Sequence, residues 1–182
     1  MQSDFRESLR IRQNTKRTRN IDKKMGKHMK VLIGADEISR RVQVMAEQIA
    51  KDYKNKPLAL ICVEFGGRDF YNLLIDNLHS LGITDFFQGS VKVGRGASKA
   101  SGERITSIFH FESGILCDKN KLKNMHLLIV DDQISSGKSF DLLKSRYGDA
   151  LSVELATLIV KSMAQKRLRD IKYYSFFIKS RC

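Results

Sequence analysis

The sequence predicts an α/β domain with a mostly parallel central sheet flanked by helices. Three observations predict it. Apolar runs of strand length alternate with segments whose apolar residues recur at helical spacing. The runs at 58–65 and 127–130 are almost wholly apolar, as strands covered on both faces are. One run ends in two acids and passes into a serine- and glycine-rich turn, an arrangement suited to the ligand-binding end of such a sheet.

The elements follow in order. From Ala35, the residues Ile38, Val42, Met45 and Ile49 recur at spacings of three and four, which predicts a helix that KNKP then breaks. LALICVEF (58–65) predicts a buried strand, followed by Gly66-Gly67 and a second helix through Leu73, Leu74, Leu78 and Leu81. DFFQGSVKV (85–93) reads as a strand, GRGASKASGER (94–104) as a polar loop and ITSIFHF (105–111) as a strand again. MHLLIVDD (125–132) is a strand ending in carboxylates. A turn then opens a helix from Lys138 to Tyr147, and SVELATLIV (152–160) and KYYSFFI (172–178) are two further strands.

Residues 1–30 form a basic extension to the domain of 31–182. They hold ten Lys and Arg against three acids, and too few large apolar groups to fold alone. This composition suits a targeting segment, an arm for a nucleic-acid or acidic protein partner, or a solvated tail. The whole chain of 182 residues carries a net charge of +13, which favours anionic ligands or surfaces. No apolar run reaches the roughly 18 residues that span a bilayer, so no transmembrane segment is expected. Three cysteines without a C-x-x-C pair predict no disulfide framework, and the four histidines lack metal-ligand spacing. Compartment is left between mitochondrion and cytoplasm.

The chemistry concentrates in LLIVDDQISSGKSF (127–140). A buried strand delivers Asp131 and Asp132 to its carboxyl end, and the turn Ser135-Ser136-Gly137-Lys138-Ser139 opens a helix. Glycine admits close approach, and the unpaired N–H groups of a first helical turn suit a phosphate. Two acids beside a phosphate repel it unless they face sugar hydroxyls or a cation. A ribose 5-phosphate satisfies both halves: phosphate in the turn, hydroxyls on the acids. The motif is not a Walker loop, because Gly137 has no glycine five residues before it. A plain capped turn is the bland alternative.

This segment resembles the phosphoribosyl-diphosphate signature of type I phosphoribosyltransferases. From about Val31 to Ile178 the chain resembles their hypoxanthine-guanine branch. ADEISRRVQVMAEQIAKDYKNKPLALICV is similar to its first helix and strand, ASGERITSI to the end of its mobile loop, and VELATLIVKS to the strand ending in its purine-contacting lysine. The resemblance implies the type I phosphoribosyltransferase fold. It implies that Asp131 and Asp132 hold ribose hydroxyls, that Ser135 to Ser139 cradle the 5-phosphate, and that Glu64, Phe65, Gly66 and Gly67 form the pyrophosphate loop. Lys161 then faces the purine 6-oxo group. Magnesium is implied only as a companion of bound phosphoribosyl diphosphate, with no direct protein ligand.

Four departures bear on activity. Ser135 stands where the family has an aspartate acid/base, and a serine cannot replace a carboxylate in proton transfer at neutral pH. The pyrophosphate loop has Phe65 in place of a cation and adds Glu64 beside a polyanion. No tyrosine lies between Tyr71 and Tyr147 to supply the mobile loop's Ser-Tyr pair, and Gly94-Arg95 falls near that place. The chain stops at Cys182, so the C-terminal hood is expected to be truncated. Each lost contact is worth on the order of 1–4 kcal/mol of transition-state binding. These losses favour a degenerate, catalytically impaired protein with no confident catalytic residue. Such a protein is repurposed as a structural or binding subunit of a larger assembly, or is a sensor that still binds nucleotide. The alternative is an active purine-salvage enzyme that moves ribose 5-phosphate from phosphoribosyl diphosphate to a 6-oxopurine.

Overall fold

The computed structural model describes residues 33–64, 66–97, 104–169 and 171–179. The basic segment 1–30, Phe65 and the centre of the polar loop lie outside the described residues. From Ala35 onward the elements are α1 (Ala35–Asp52), β1 (Leu58–Val63), α2 (Arg68–Ser80), β2 (Phe87–Ala97), β3 (Arg104–Gly114), α3 (Lys119–Leu122), β4 (His126–Ile134), α4 (Lys138–Arg146), β5 (Ser152–Lys161) and β6 (Tyr173–Ile178). Single 3₁₀ segments follow β3 and β5, at Ile115–Cys117 and Ser162–Arg167.

The six strands form one sheet in the order β3-β2-β1-β4-β5-β6. Every neighbouring pair is parallel except β2 with β3. The mostly parallel α/β sheet expected from the sequence is therefore the fold observed. The main difference is at the polar loop. The residues read as a polar loop from Gly94 continue β2 to Ala97 and pair antiparallel with β3, Gly94 opposite Ser107 and Ala97 opposite Arg104. Glycines depress local strand preference, and the ladder to a partner strand overrides that preference.

All six residues of β1 are buried, because it is central and covered on both sides. Strand alternation divides the core between the two faces. On one face Leu58, Leu60 and Cys62 meet α1 and α2 through Val42, Met45, Ile49, Leu74 and Leu78. On the other, Ala59, Ile61 and Val63 meet α4 and the residues after β3 through Leu116, Leu122, Phe140 and Leu143. Full burial of Val42, Met45 and Ile49 contributes about 1.5–3 kcal/mol each, which outweighs the weak intrinsic stability of an isolated helix. α2 stops at Gly82, whose φ of 76° permits its N–H to bond His79 and the Ile83 N–H to bond Leu78.

The topology fixes where a ligand can go. After β1 the chain moves outward through β2 and β3, and then returns to the other side of β1 as β4. The connections leaving β1 and β4 therefore diverge, with α2 on one face and α4 on the other. A crevice opens between their carboxyl ends, the place where open α/β sheets bind ligands.

Candidate functional site at the carboxyl ends of β1 and β4

Two loops face each other across this crevice. The first, residues 64–67, links β1 to α2. The second, residues 135–137, links β4 to α4. The first packs through its glycines against the β4 residues that precede the second. A Cβ on Gly67 would lie 2.9 Å from the Val63 carbonyl oxygen, 3.0 Å from that of Val130 and 3.2 Å from Asp131 Cα. Gly67 has ordinary helical angles (φ −74°), so space rather than backbone conformation demands glycine here. A Cβ on Gly66 would lie 2.8 Å from Asp132 Oδ1. The first loop is thus seated directly on the acid pair.

The acids stand on β4 just beyond its buried stretch Leu127–Val130, and the strand runs on through Gln133 to Ile134, two residues past the end expected from the sequence. Burial, and then the adjacent Asp132 charge, push the Asp131 carboxyl up to about 7. At neutral pH the pair therefore holds a proton part of the time, which lowers its repulsion towards a phosphorylated ligand. A carboxylic acid can also donate to a sugar oxygen while its neighbour accepts from a hydroxyl.

The turn places Ser135, Ser136 and Ser139 half-buried around Gly137, and all five residues of 135–139 line one cavity with Asp131 and Asp132. Gly137 caps α4 with φ 79°, a conformation that favours glycine, and no side chain caps the helix there. Lys138 occupies the first helical position. A cation at the positive end of the helix dipole is unfavourable alone, by about 0.3–1 kcal/mol, and an anion bound there offsets it.

A second cation at the turn escaped the sequence reading. Arg167, from the 3₁₀ segment after β5, lies against Gly137: a Cβ there would sit 2.6 Å from its Cδ and 2.8 Å from its Nε. Its guanidinium pairs with Asp141 in the first turn of α4. Nothing in the local sequence links residues 26 apart. Lys161 ends β5, one strand beyond β4, where it is half-buried at the same end of the sheet. Glu64, expected to repel an anion, is answered by Arg68: the guanidinium donates to both Glu64 oxygens at 2.9 Å. Among the described residues no group of three or more His, Cys, Asp or Glu could hold a metal ion.

Comparison with known proteins agrees with this fold. The family model for the phosphoribosyl transferase domain matches residues 34–180. The chain is 29% identical over 136 residues to a hypoxanthine-guanine phosphoribosyltransferase of Streptococcus pneumoniae, covering 72% of this chain and 69% of that one. It is 25% identical over 155 residues to the hypoxanthine-guanine-xanthine phosphoribosyltransferase of Tritrichomonas foetus, covering 84% and 79%. In structure it is similar to a hypoxanthine phosphoribosyltransferase from Staphylococcus aureus, with a TM-score of 0.68 over 83% of this chain and 78% of that one at 20% identity. It is also similar to the enzyme of the same kind from Trypanosoma cruzi, with a TM-score of 0.63 over 84% and 83% at 21% identity. The likeness spans both loops of the crevice and the strands that carry them. The chain belongs to the phosphoribosyltransferase family, as a divergent relative of its hypoxanthine-guanine members.

Proposed function

We propose that this protein is a purine-salvage phosphoribosyltransferase. It transfers ribose 5-phosphate from phosphoribosyl diphosphate to a 6-oxopurine and releases pyrophosphate. The observation that carries this reading is the acid pair Asp131–Asp132 near the end of β4, two residues before the serine and glycine turn of α4, at the β1/β4 crevice. The relatives support an active transferase better than the repurposed subunit that the four departures suggested.

In this reading the turn 135–139 binds the 5-phosphate through backbone N–H groups and serine hydroxyls, with Lys138 supplying charge. Asp131 and Asp132 hold the ribose hydroxyls and fix the sugar while its C1–O bond to diphosphate breaks. Their negative charge favours the cationic sugar that develops at C1. Lys161 donates to the 6-oxo group of the purine. Magnesium would arrive with the diphosphate, Asp131 and Asp132 would be the nearest hard oxygen donors to it, and it would supply charge neutralisation of the leaving group. Ser135 supplies no base for the purine proton, so solvent takes that proton and turnover is slow.

A second reading, nucleotide binding without turnover, is favoured by Ser135, which leaves the site without its acid/base. Calorimetric titration with phosphoribosyl diphosphate and GMP in magnesium, together with a turnover assay on hypoxanthine and guanine, separates the two. Binding with turnover supports the transferase, and binding without it supports the sensor. Absence of all binding overturns both.

A further inference from the structure

We infer that Arg68 is the residue that receives the diphosphate group, and that Glu64 holds it in readiness. This rests on the phosphoribosyl-transfer reading and assigns a role within that same site. With the 5-phosphate in the α4 turn and the hydroxyls on Asp131 and Asp132, the substituent at C1 must project across the acid pair. Its neighbour there is the loop after β1, whose Gly66 backbone lies against the Asp132 carboxylate.

That loop is otherwise hostile to an anion. Glu64 and Asp69 line it, and Asp132 stands behind it. Arg68 is the only cation lining either of the two cavities that border the loop, among the described residues. Its position is set by a side-on pair with Glu64, both oxygens at 2.9 Å from one guanidinium nitrogen. The two partners differ in burial. The Arg68 side chain is 65% exposed and that of Glu64 only 11%. The guanidinium therefore reaches into solvent from an anchored carboxylate, with its remaining N–H groups available to a second acceptor. A guanidinium offers five donors and can serve two oxyanions at once. Diphosphate carries more charge than one carboxylate, so it competes well for those donors.

The inference gives opposite signs for the two partners. Removing Arg68 weakens diphosphate binding. Removing the Glu64 charge strengthens it, because a competitor and a like charge both disappear. A pair that merely straps the loop predicts the same sign for both.

The test uses the full chain and titration calorimetry with magnesium pyrophosphate and, separately, with ribose 5-phosphate. R68Q is expected to lose at least about tenfold in pyrophosphate affinity, and E64Q to gain about three- to tenfold. Ribose 5-phosphate, which lacks the diphosphate, should bind all three proteins within about twofold of each other. Unfolding midpoints of the variants check that each is folded. Unchanged pyrophosphate affinity in R68Q overturns the assignment of Arg68, as does a loss in E64Q that matches that of R68Q. A wild-type protein that binds neither compound overturns the transferase reading with it. One that binds ribose 5-phosphate normally confines the failure to Arg68.

Discussion

Replacing Asp131 by Asn should make the protein more stable at pH 8 while leaving it unchanged near pH 4. The Asp131 carboxyl is raised from 3.8 to about 7 in the folded chain, first by burial and then by Asp132. A raised carboxyl costs nothing below its unfolded value, where both states are protonated. As pH climbs from about 4 to 7 the unfolded chain releases the proton and the folded chain retains it, so stability falls. Three units at about 1.36 kcal/mol each set a ceiling of about 4 kcal/mol. Relaxation of the pair with Asp132 brings the expected gain for D131N to about 2–4 kcal/mol at pH 8. For a chain of this size each kcal/mol moves Tm by about 2–4 °C. Urea unfolding of both proteins at pH 4, 6 and 8 measures the effect. The gap should open through this window and then level off above it. An equal gain at pH 4 and pH 8 points to packing rather than charge, and no gain at pH 8 refutes the argument. The same variant should lose affinity for ribose 5-phosphate, since stability here is surrendered for a binding site.

Three further predictions concern neighbouring positions. G67A forces a Cβ to within about 3 Å of two backbone carbonyls, so it should destabilise the protein by about 1–3 kcal/mol in urea unfolding and weaken ligand binding by displacing the acid pair. S135D puts a carboxylate at the position that the family resemblance gives to the acid/base and, under the proposed reaction, should raise hypoxanthine turnover about 100-fold or more under steady-state assay. An unchanged rate there argues that proton transfer does not limit the reaction. R167Q removes a guanidinium seated on Gly137 and should weaken ribose 5-phosphate binding about tenfold, with a shallower dependence of affinity on salt in calorimetry.

Much of the site was legible because it obeys local rules. The run Leu127 to Val130 announces a buried strand, the two acids lie near its end, two residues short of Ile134, and Gly137 with its serines marks a helix start. The fold class followed from the same alternation. The missed features depend on partners distant in sequence or on pairing. Gly94 and Gly96 look like loop residues, yet they lie in β2 because β3 pairs with them. Arg167 reaches the turn before α4 from beyond β5. Arg68 was visible four residues after Glu64, a spacing that brings side chains together on a helix. It was missed because Glu64 precedes the helix, and only the folded turn extends that spacing to it.

The contact of Gly66 and Gly67 with the ends of β1 and β4 has a mechanical consequence. A wall with no side chain between its two sides leaves little room for one side to move without the other. Under the proposed reaction, a displacement of the loop after β1 would be passed to Asp131 and Asp132, as between two meshed gears. Departure of one product would then loosen the hold on the other, and the order of release would be written into two missing methyl groups.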